Sequence, residues 1–299
     1  MSIIKISRGE RIFGWANIGI MLALLVFTLY PMLYVLFASF SDPQKFAAYH
    51  GLLYKPVGFT LDAYKNVFKM QNIQIGFRNT LFYVVAGTTI NMVLTILGAY
   101  ATSRKDFLLR RPLMIFMLVT MFFGGGMIPT FLIVQKLGLT NTVWGVLIPG
   151  CISTYNLIIL RTGFEAIPVS LFEAADIDGA NQFSMLIHIV LPLSTASLAT
   201  IGLFYAVGRW GDWYSALVYL QQRRGLYPLQ MFLREMLIKG DMTDPAIVAS
   251  LGKQGSQQYL LNQIIKYAAI VVTTIPILVI YPSLQKYFVK GVMVGAVKE

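Results

Sequence analysis

Charged residues fall unevenly along this chain. Six stretches run without Asp, Glu, Lys or Arg: 12–41, 79–103, 112–135, 137–160, 179–208 and 267–285. A hydrocarbon core of about 30 Å, crossed at about 1.5 Å per residue, asks for roughly 18–20 apolar residues. Each stretch reaches that length, so the pattern predicts an all-α membrane protein with six transmembrane helices. The fifth stretch opens on polar residues, which moves the expected start of its helix from Gly179 to near Ser184. A spanning domain over 12–290 follows, with tails at 1–11 and 291–299 and two long loops at 42–76 and 211–262. The first stretch is about twice as long as the apolar core of a signal peptide, and is read as a retained helix.

Composition agrees with that class. Of 299 residues, 57% are hydrophobic and 12% charged, against about a quarter charged in soluble domains. The net charge of +11 reads as an orientation signal, because its cations flank the spans. Lys5, Arg8 and Arg11 precede the first, Arg104, Lys105, Arg110 and Arg111 crowd the second loop, and Lys286, Lys290 and Lys298 follow the last. Cations in short loops stay inside, so both tails and the second loop are expected in the cytoplasm. Cations arranged in this way do not form a nucleic-acid-binding face.

The chain offers little chemistry of its own. Its single Cys151 excludes a disulfide framework. His50 and His188 lie far apart with no ligand at metal-binding spacing, so no metal is expected. No phosphate-cradling Gly-rich loop, nucleophile elbow or catalytic triad pattern occurs. An ion-coupled carrier is disfavoured because no carboxylate sits well inside a span.

The loop between the fourth and fifth spans, 168–192, carries the sharpest signal. Pro168 opens it, and Ser170 with Glu173 fits a capping box for a short amphipathic helix. Gly179 can end that helix in the left-handed conformation. Glu173 acting as the helix's own cap is the plain reading. It leaves Asp176 and Asp178 in the last turn, where the helix dipole disfavours anions by roughly 0.3–1 kcal/mol each. An external cation would relieve them, which predicts a docking surface for a basic groove on a partner.

Glu173-Ala174-Ala175, three residues, Gly179, nine residues, then Ile189-Val190-Leu191-Pro192 resembles the EAA loop of ABC-importer permeases at every defining position. The likeness extends along the chain. Trp210-Gly-Asp212-Trp213, Tyr227-Pro-Leu-Gln230 and the tail Lys286–Gly295 look like the carbohydrate-importer branch. Phe122–Pro129 and Leu137–Trp144 look like its subgroup for complex or acidic oligosaccharides. The resemblance implies a maltose-type permease fold with a cytoplasmic coupling helix, in a bacterial cytoplasmic (inner) membrane. It further implies a homologous second permease, two ATPase subunits that hold the ATP and magnesium, and a solute-binding protein delivering an oligosaccharide. This chain itself would bind no cofactor. Glu173, Ala174, Ala175, Asp176, Asp178 and Gly179 would form the ATPase-docking surface.

Sugars need polar edges and aromatic faces. Ser153, Thr154, Tyr155 and Asn156 are expected about half way along the fourth span, and Tyr205, Arg209, Trp210, Asp212 and Trp213 towards the outer end of the fifth. Tyr155, Asn156, Tyr205, Arg209, Trp210 and Trp213 are the candidates for the substrate path. Helix–helix hydrogen bonds and an interfacial aromatic belt are the alternatives. Arg209, Arg223 and Arg224 would favour an anionic sugar, although Asp212 lies where it can pair with Arg209. Gly124-Gly125-Gly126 is expected to be a flexible or closely packed segment, with helix–helix approach favoured over substrate contact. The apolar spacing beyond Pro228 predicts a short helix at the outer surface.

Overall fold

The computed structural model describes residues 7–241 and 252–296; parts of both tails and of the second long loop lie outside them. The described residues are mostly helical, and their one extended pairing is an isolated bridge between Ser41 and Phe59. Three helices are long and apolar enough to cross a bilayer: α1 (Arg8–Ser39), then, after the short α2 (Pro43–Ala47) and α3 (Asp62–Lys69), α4 (Gln71–Ser103), and the Tyr259–Ile280 part of a long C-terminal helix. Two further apolar segments are bent helix pairs, with the geometry of a broken span or a re-entrant loop. One joins α5 (Arg110–Phe122) to α6 (Met127–Lys136) at 116°, and the other joins Gln182–Leu193 to Thr195–Trp210 at 87°.

The predicted fourth span is not one helix. It consists of α7 (Val143–Leu147) and α8 (Thr154–Glu165), with Ile148–Ser153 between them. The 12 residues of α8 rise only about 18 Å, short of the core thickness. The described residues thus hold three continuous crossings, or five with each bent pair counted as one, against six predicted. A charge-free run reports hydrophobicity and is silent about continuity. Pro149 removes a donor and Gly150 takes φ +67, so the helix breaks there.

The same logic corrects the expectation for the triple glycine. Residues 123–126 form the break between α5 and α6, Gly126 has φ +84, and a Cβ placed on Gly124 or Gly126 would meet nothing within 4 Å. Within this chain these glycines make a bend and no close helix contact.

After α8 come α9 (Val169–Ile177), α10 (Gln182–Met185), a π-helical turn at Leu186–Val190, α11 (Leu191–Leu193) and α12 (Thr195–Trp210). Then follow α13 (Tyr214–Tyr219), α14 (Leu229–Asp241) and α15 (Gly252–Ala296). The helix predicted beyond Pro228 is α14.

The helices gather into two compact units. The first takes residues 7–70, 236–241 and 252–274. Its α1 is closed by a capping box, with Glu10 N–H donating to Ser7 Oγ at 3.2 Å and Ser7 N–H to Glu10 Oε2 at 2.6 Å. Tyr34, Phe46 and Tyr267 pack edge to face at centroid distances of 6.0–6.3 Å.

The second unit takes residues 71–235 with 275–296 and contains the candidate site. Its axis is α4, which buries Asn79, Tyr83, Gly87, Asn91, Thr95 and Ala99. Their spacing of four places them in one stripe of small and polar side chains along the helix, the kind of face that lets membrane helices approach closely. Leu157, Leu160 and Phe164 of α8, Leu186 and Val190 of the π turn, and Ile201 of α12 form one core with Ala99. Val146, Leu147, Ala216, Leu220, Tyr227 and Phe232 form a second with Tyr83.

Candidate functional site

The 168–192 loop folds into α9, a left-handed turn and α10. Pro168 is the N-cap of α9, with φ −58, and no side chain caps that end. This corrects the predicted capping box: with Pro168 as N-cap the helix starts two residues early, so Ser170 lies inside it. Glu173 is thereby released from capping and is exposed without a protein partner among the described residues. The other end follows expectation. Gly179 takes φ +76, its N–H donates to Asp176 O at 3.1 Å, and Ala180 N–H donates to Ala175 O at 2.9 Å. These two bonds make a Schellman stop. Asn181 then caps α10 by accepting Ser184 N–H at 2.8 Å, so that helix begins slightly ahead of Ser184.

Few contacts hold α9 to the rest of its unit. Ala175 is buried, the Arg104 guanidinium lies 4.5 Å over the Phe172 ring, and Tyr100 donates to Gln182 Oε1 at 2.7 Å just past the turn. Glu173, Ala174, Asp176, Ile177, Asp178 and Gly179 all face outwards, and Ile177 is 87% exposed. The alanine pair is therefore split, with Ala175 packed and Ala174 free. The neighbouring cations serve other acids. Arg110 and Arg161 both pair with Glu165 at 2.8 Å, and Arg104 faces Asp106 at 3.2 Å. Glu173, Asp176 and Asp178 make no ion pair among the described residues.

The predicted path residues divide into two groups. Tyr155 and Asn156 are in the first turn of α8, directly after the break, and not half way along a span. Tyr155 is 58% exposed and Asn156 only 7%. Tyr205 and Arg209 are buried and occupied by the protein. The Tyr205 hydroxyl meets Thr95 Oγ1 at 2.7 Å and accepts Ser153 N–H at 3.1 Å. Arg209 donates to Val146 O at 2.7 Å, Leu147 O at 2.9 Å and Asn91 Oδ1 at 3.1 Å. Its suggested pairing with Asp212 is not formed; that carboxylate accepts Ser215 N–H at 2.9 Å. Trp210 packs edge-on against Phe77 at 6.1 Å, and Arg234 lies 4.8 Å over Trp213. Trp210 also lines an apolar groove with Val84, Leu203, Val207, Pro276 and Ile280, which offers no polar edge to a sugar. Arg224 is paired with Glu235.

Residues 94–294 match the family model described as "Binding-protein-dependent transport system inner membrane component". The chain belongs to this family. The polygalacturonan/rhamnogalacturonan transport system permease protein YtcP of Bacillus subtilis is 40% identical over 289 residues, covering 97% of this chain and 99% of that one. Protein LplC of the same organism is 37% identical over 292 residues, 98% and 97% of the two chains. Among solved structures, a bacterial ABC transporter involved in the import of the acidic polysaccharide alginate aligns with a TM-score of 0.85 at 33% identity. That alignment covers 94% of this chain and 98% of that one. As a binding-protein-dependent permease, this chain is a membrane transport component and not an enzyme.

Several residues at this permease's site escaped sequence reasoning. Arg104 reads in the sequence only as a loop cation and Tyr100 is one residue of the second apolar run, yet they bracket α9. Asn91 and Thr95 support Arg209 and Tyr205. The signal for the last two was present in the four-residue spacing of polar residues along 79–95. Arg104 gave no such signal, because its partner Phe172 is distant in sequence.

Proposed function

We propose that this chain forms half of the translocation path of an ATP-driven importer for an oligosaccharide, and that α9 is the element through which a separate ATPase subunit moves it. The observation that carries the reading is the set of unpaired acids Glu173, Asp176 and Asp178 around exposed Ile177, on a helix fixed to its unit by little more than Ala175 and Phe172. Anions near a helix C-terminus are locally unfavourable, and a large exposed isoleucine between them is apolar surface awaiting cover. A groove with a basic rim and an apolar floor suits both. Gly179 fixes the turn that returns the chain from α9 to α10.

The rest of the assembly follows from family membership and the chain's own composition. A homologous second permease completes the path, two ATPase subunits hold ATP and magnesium, and an extracytoplasmic solute-binding protein delivers the sugar towards the long loops at 42–76 and 211–262. Both termini lie in the cytoplasm of a bacterial inner membrane, as the short-loop cations indicate, and the spans number six. The names of the relatives support an acidic sugar, of the uronide-oligomer kind, as cargo. Tyr155, Asn156 and Trp213 remain the candidates for contact with it. Arg209 and Tyr205 act through other groups, and Trp210 faces apolar neighbours.

Purification of the tagged chain from its native membrane in mild detergent, followed by mass spectrometry, tests the reading. Co-purification of a second permease of similar size and an ATPase supports it. Recovery of this chain alone, still transporting without ATP, would overturn it.

A further inference from the structure

The break between α7 and α8 leaves an unusual number of backbone groups without partners. Within Ile148–Ser153, Cys151 N–H donates to Ile148 O at 3.1 Å and Ser153 N–H to Tyr205 Oη at 3.1 Å. The N–H groups of Gly150 and Ile152 and the carbonyls of Pro149, Gly150, Cys151 and Ile152 have no protein partner among the described residues. The side-chain amide of Asn156, one turn further on, has no protein partner among the described residues either, although only 7% of that residue is exposed; its backbone N–H donates to Ser153 Oγ at 3.3 Å. A Cβ placed on Gly150 would meet nothing within 4 Å, so the segment faces open space. It lies in a run free of charges from 137 to 160, which the hydrophobic pattern assigns to the membrane. Irregular backbone is tolerated there only when covered by protein or bathed by water, because each bare amide in lipid costs several kcal/mol.

The segment is held in this shape from both ends. Arg209 binds the carbonyls of Val146 and Leu147 at the close of α7, and Tyr205 binds the N–H of Ser153 at the start of α8. Both come from α12 and both are braced by α4, through Asn91 and Thr95. Gly87 leaves room for the arginine, whose Nε would lie 2.8 Å from a Cβ at that position. A planar guanidinium that reaches two adjacent carbonyls is suited to fixing a helix end. Three of the guanidinium's five donors are thus taken by this chain, on a side chain that is buried.

We infer that Ile148–Ser153 is the strip of the translocation path on which the cargo slides, its bare amides and carbonyls with the Asn156 amide exchanging hydrogen bonds with the hydroxyls of a polyhydroxylated chain. Arg209 and Tyr205 are positioning residues that keep the strip unwound. The inference rests on the proposed sugar-importer function and names the part of the chain that meets the sugar. Backbone donors and acceptors in a row suit a ligand of repeating hydroxyls, since they read no single substituent and let each sugar unit replace the last.

Cys151, the chain's one cysteine, reports on the strip. The assembled transporter in inside-out and right-side-out vesicles is treated with a charged, water-soluble methanethiosulfonate, and modification of Cys151 is read by mass spectrometry of this chain. Labelling is repeated with the binding protein, ATP and oligogalacturonide, and uptake of the same oligosaccharide is measured in parallel. The expected result is labelling from water in at least one nucleotide state, with protection while oligosaccharide is in transit. Tyr205→Phe, which loses only a hydroxyl, should assemble normally but weaken protection and raise the half-saturation for uptake about fivefold, the factor one net hydrogen bond carries. Arg209→Lys should accelerate labelling by loosening the strip. Uptake with a Cys151 that reacts only with a lipid-soluble maleimide, or with nothing, overturns the inference and leaves the proposed function standing. Labelling that sugar never slows, or a Tyr205→Phe variant with unchanged half-saturation, also overturns it. Absence of uptake of any oligosaccharide overturns both.

Discussion

At the scale of single residues, the site is defined by which charges have partners. Glu165 has two arginines, Asp106 has Arg104 and Glu235 has Arg224, whereas Glu173, Asp176 and Asp178 make no ion pair among the described residues. A charge-assisted bond to a partner's basic residue contributes about 1.5–3 kcal/mol. Glu173→Ala should therefore reduce ATPase association and uptake by roughly tenfold or more, with insertion and detergent melting temperature unchanged, because the carboxylate has no partner among the described residues. Normal uptake would contradict the docking role. Gly87→Ala tests the opposite kind of residue. Its new Cβ would stand 2.8 Å from Arg209 Nε, in a side chain pinned by three hydrogen bonds, so overpacking should cost about 1–3 kcal/mol. The expected readout is a lower melting temperature of the purified protein, and an unchanged one would mean that Arg209 is free to move aside.

At the scale of elements, α9 is fastened by an aromatic and an alanine. Arg104→Ala removes the guanidinium over Phe172 and also releases Asp106. Hydrogen exchange in α9 should accelerate several-fold, as expected when a locally weak element loses a contact, while exchange in α4 stays slow. Equal exchange in both proteins would show that Ala175 alone suffices. The elements also show what was legible in the sequence. The position and end of α9 were readable, because Gly179 and the acids announce a turn and a terminus. Its start was misjudged, since Pro168 outcompeted Ser170 as the first fixed residue. The crossings were readable as hydrophobic runs, but breaks were not. Pro149-Gly150 and Gly124-Gly125-Gly126 interrupt helices inside runs that carry no charge, and only their local backbone chemistry distinguishes a break from a close contact. Tyr205 and Arg209 were found as polar residues in an apolar span. Their tasks were hidden, because their partners are backbone atoms on another element.

At the scale of the whole molecule, α4 links the two ends of the candidate machinery within its unit. Tyr100, near its C-terminal end, bonds Gln182 beside α9. Thr95 and Asn91 brace the residues that hold the α7–α8 break. Asn79 donates to Gly225 O at 2.8 Å and Tyr227 O at 3.0 Å, and Thr80 accepts Leu229 N–H at 2.8 Å, which ties the start of α14 to the helix's other end. A push on α9 would thus reach the interrupted strip and the outer loop through one continuous helix. Placing a photo-reactive amino acid at Ile177 in the native membrane, irradiating cells during transport and identifying the adduct by mass spectrometry tests the central claim most directly. The account predicts an adduct to an ATPase subunit, in a yield that changes with nucleotide state. Adducts to lipid alone, or none, in cells that still import the sugar would contradict it.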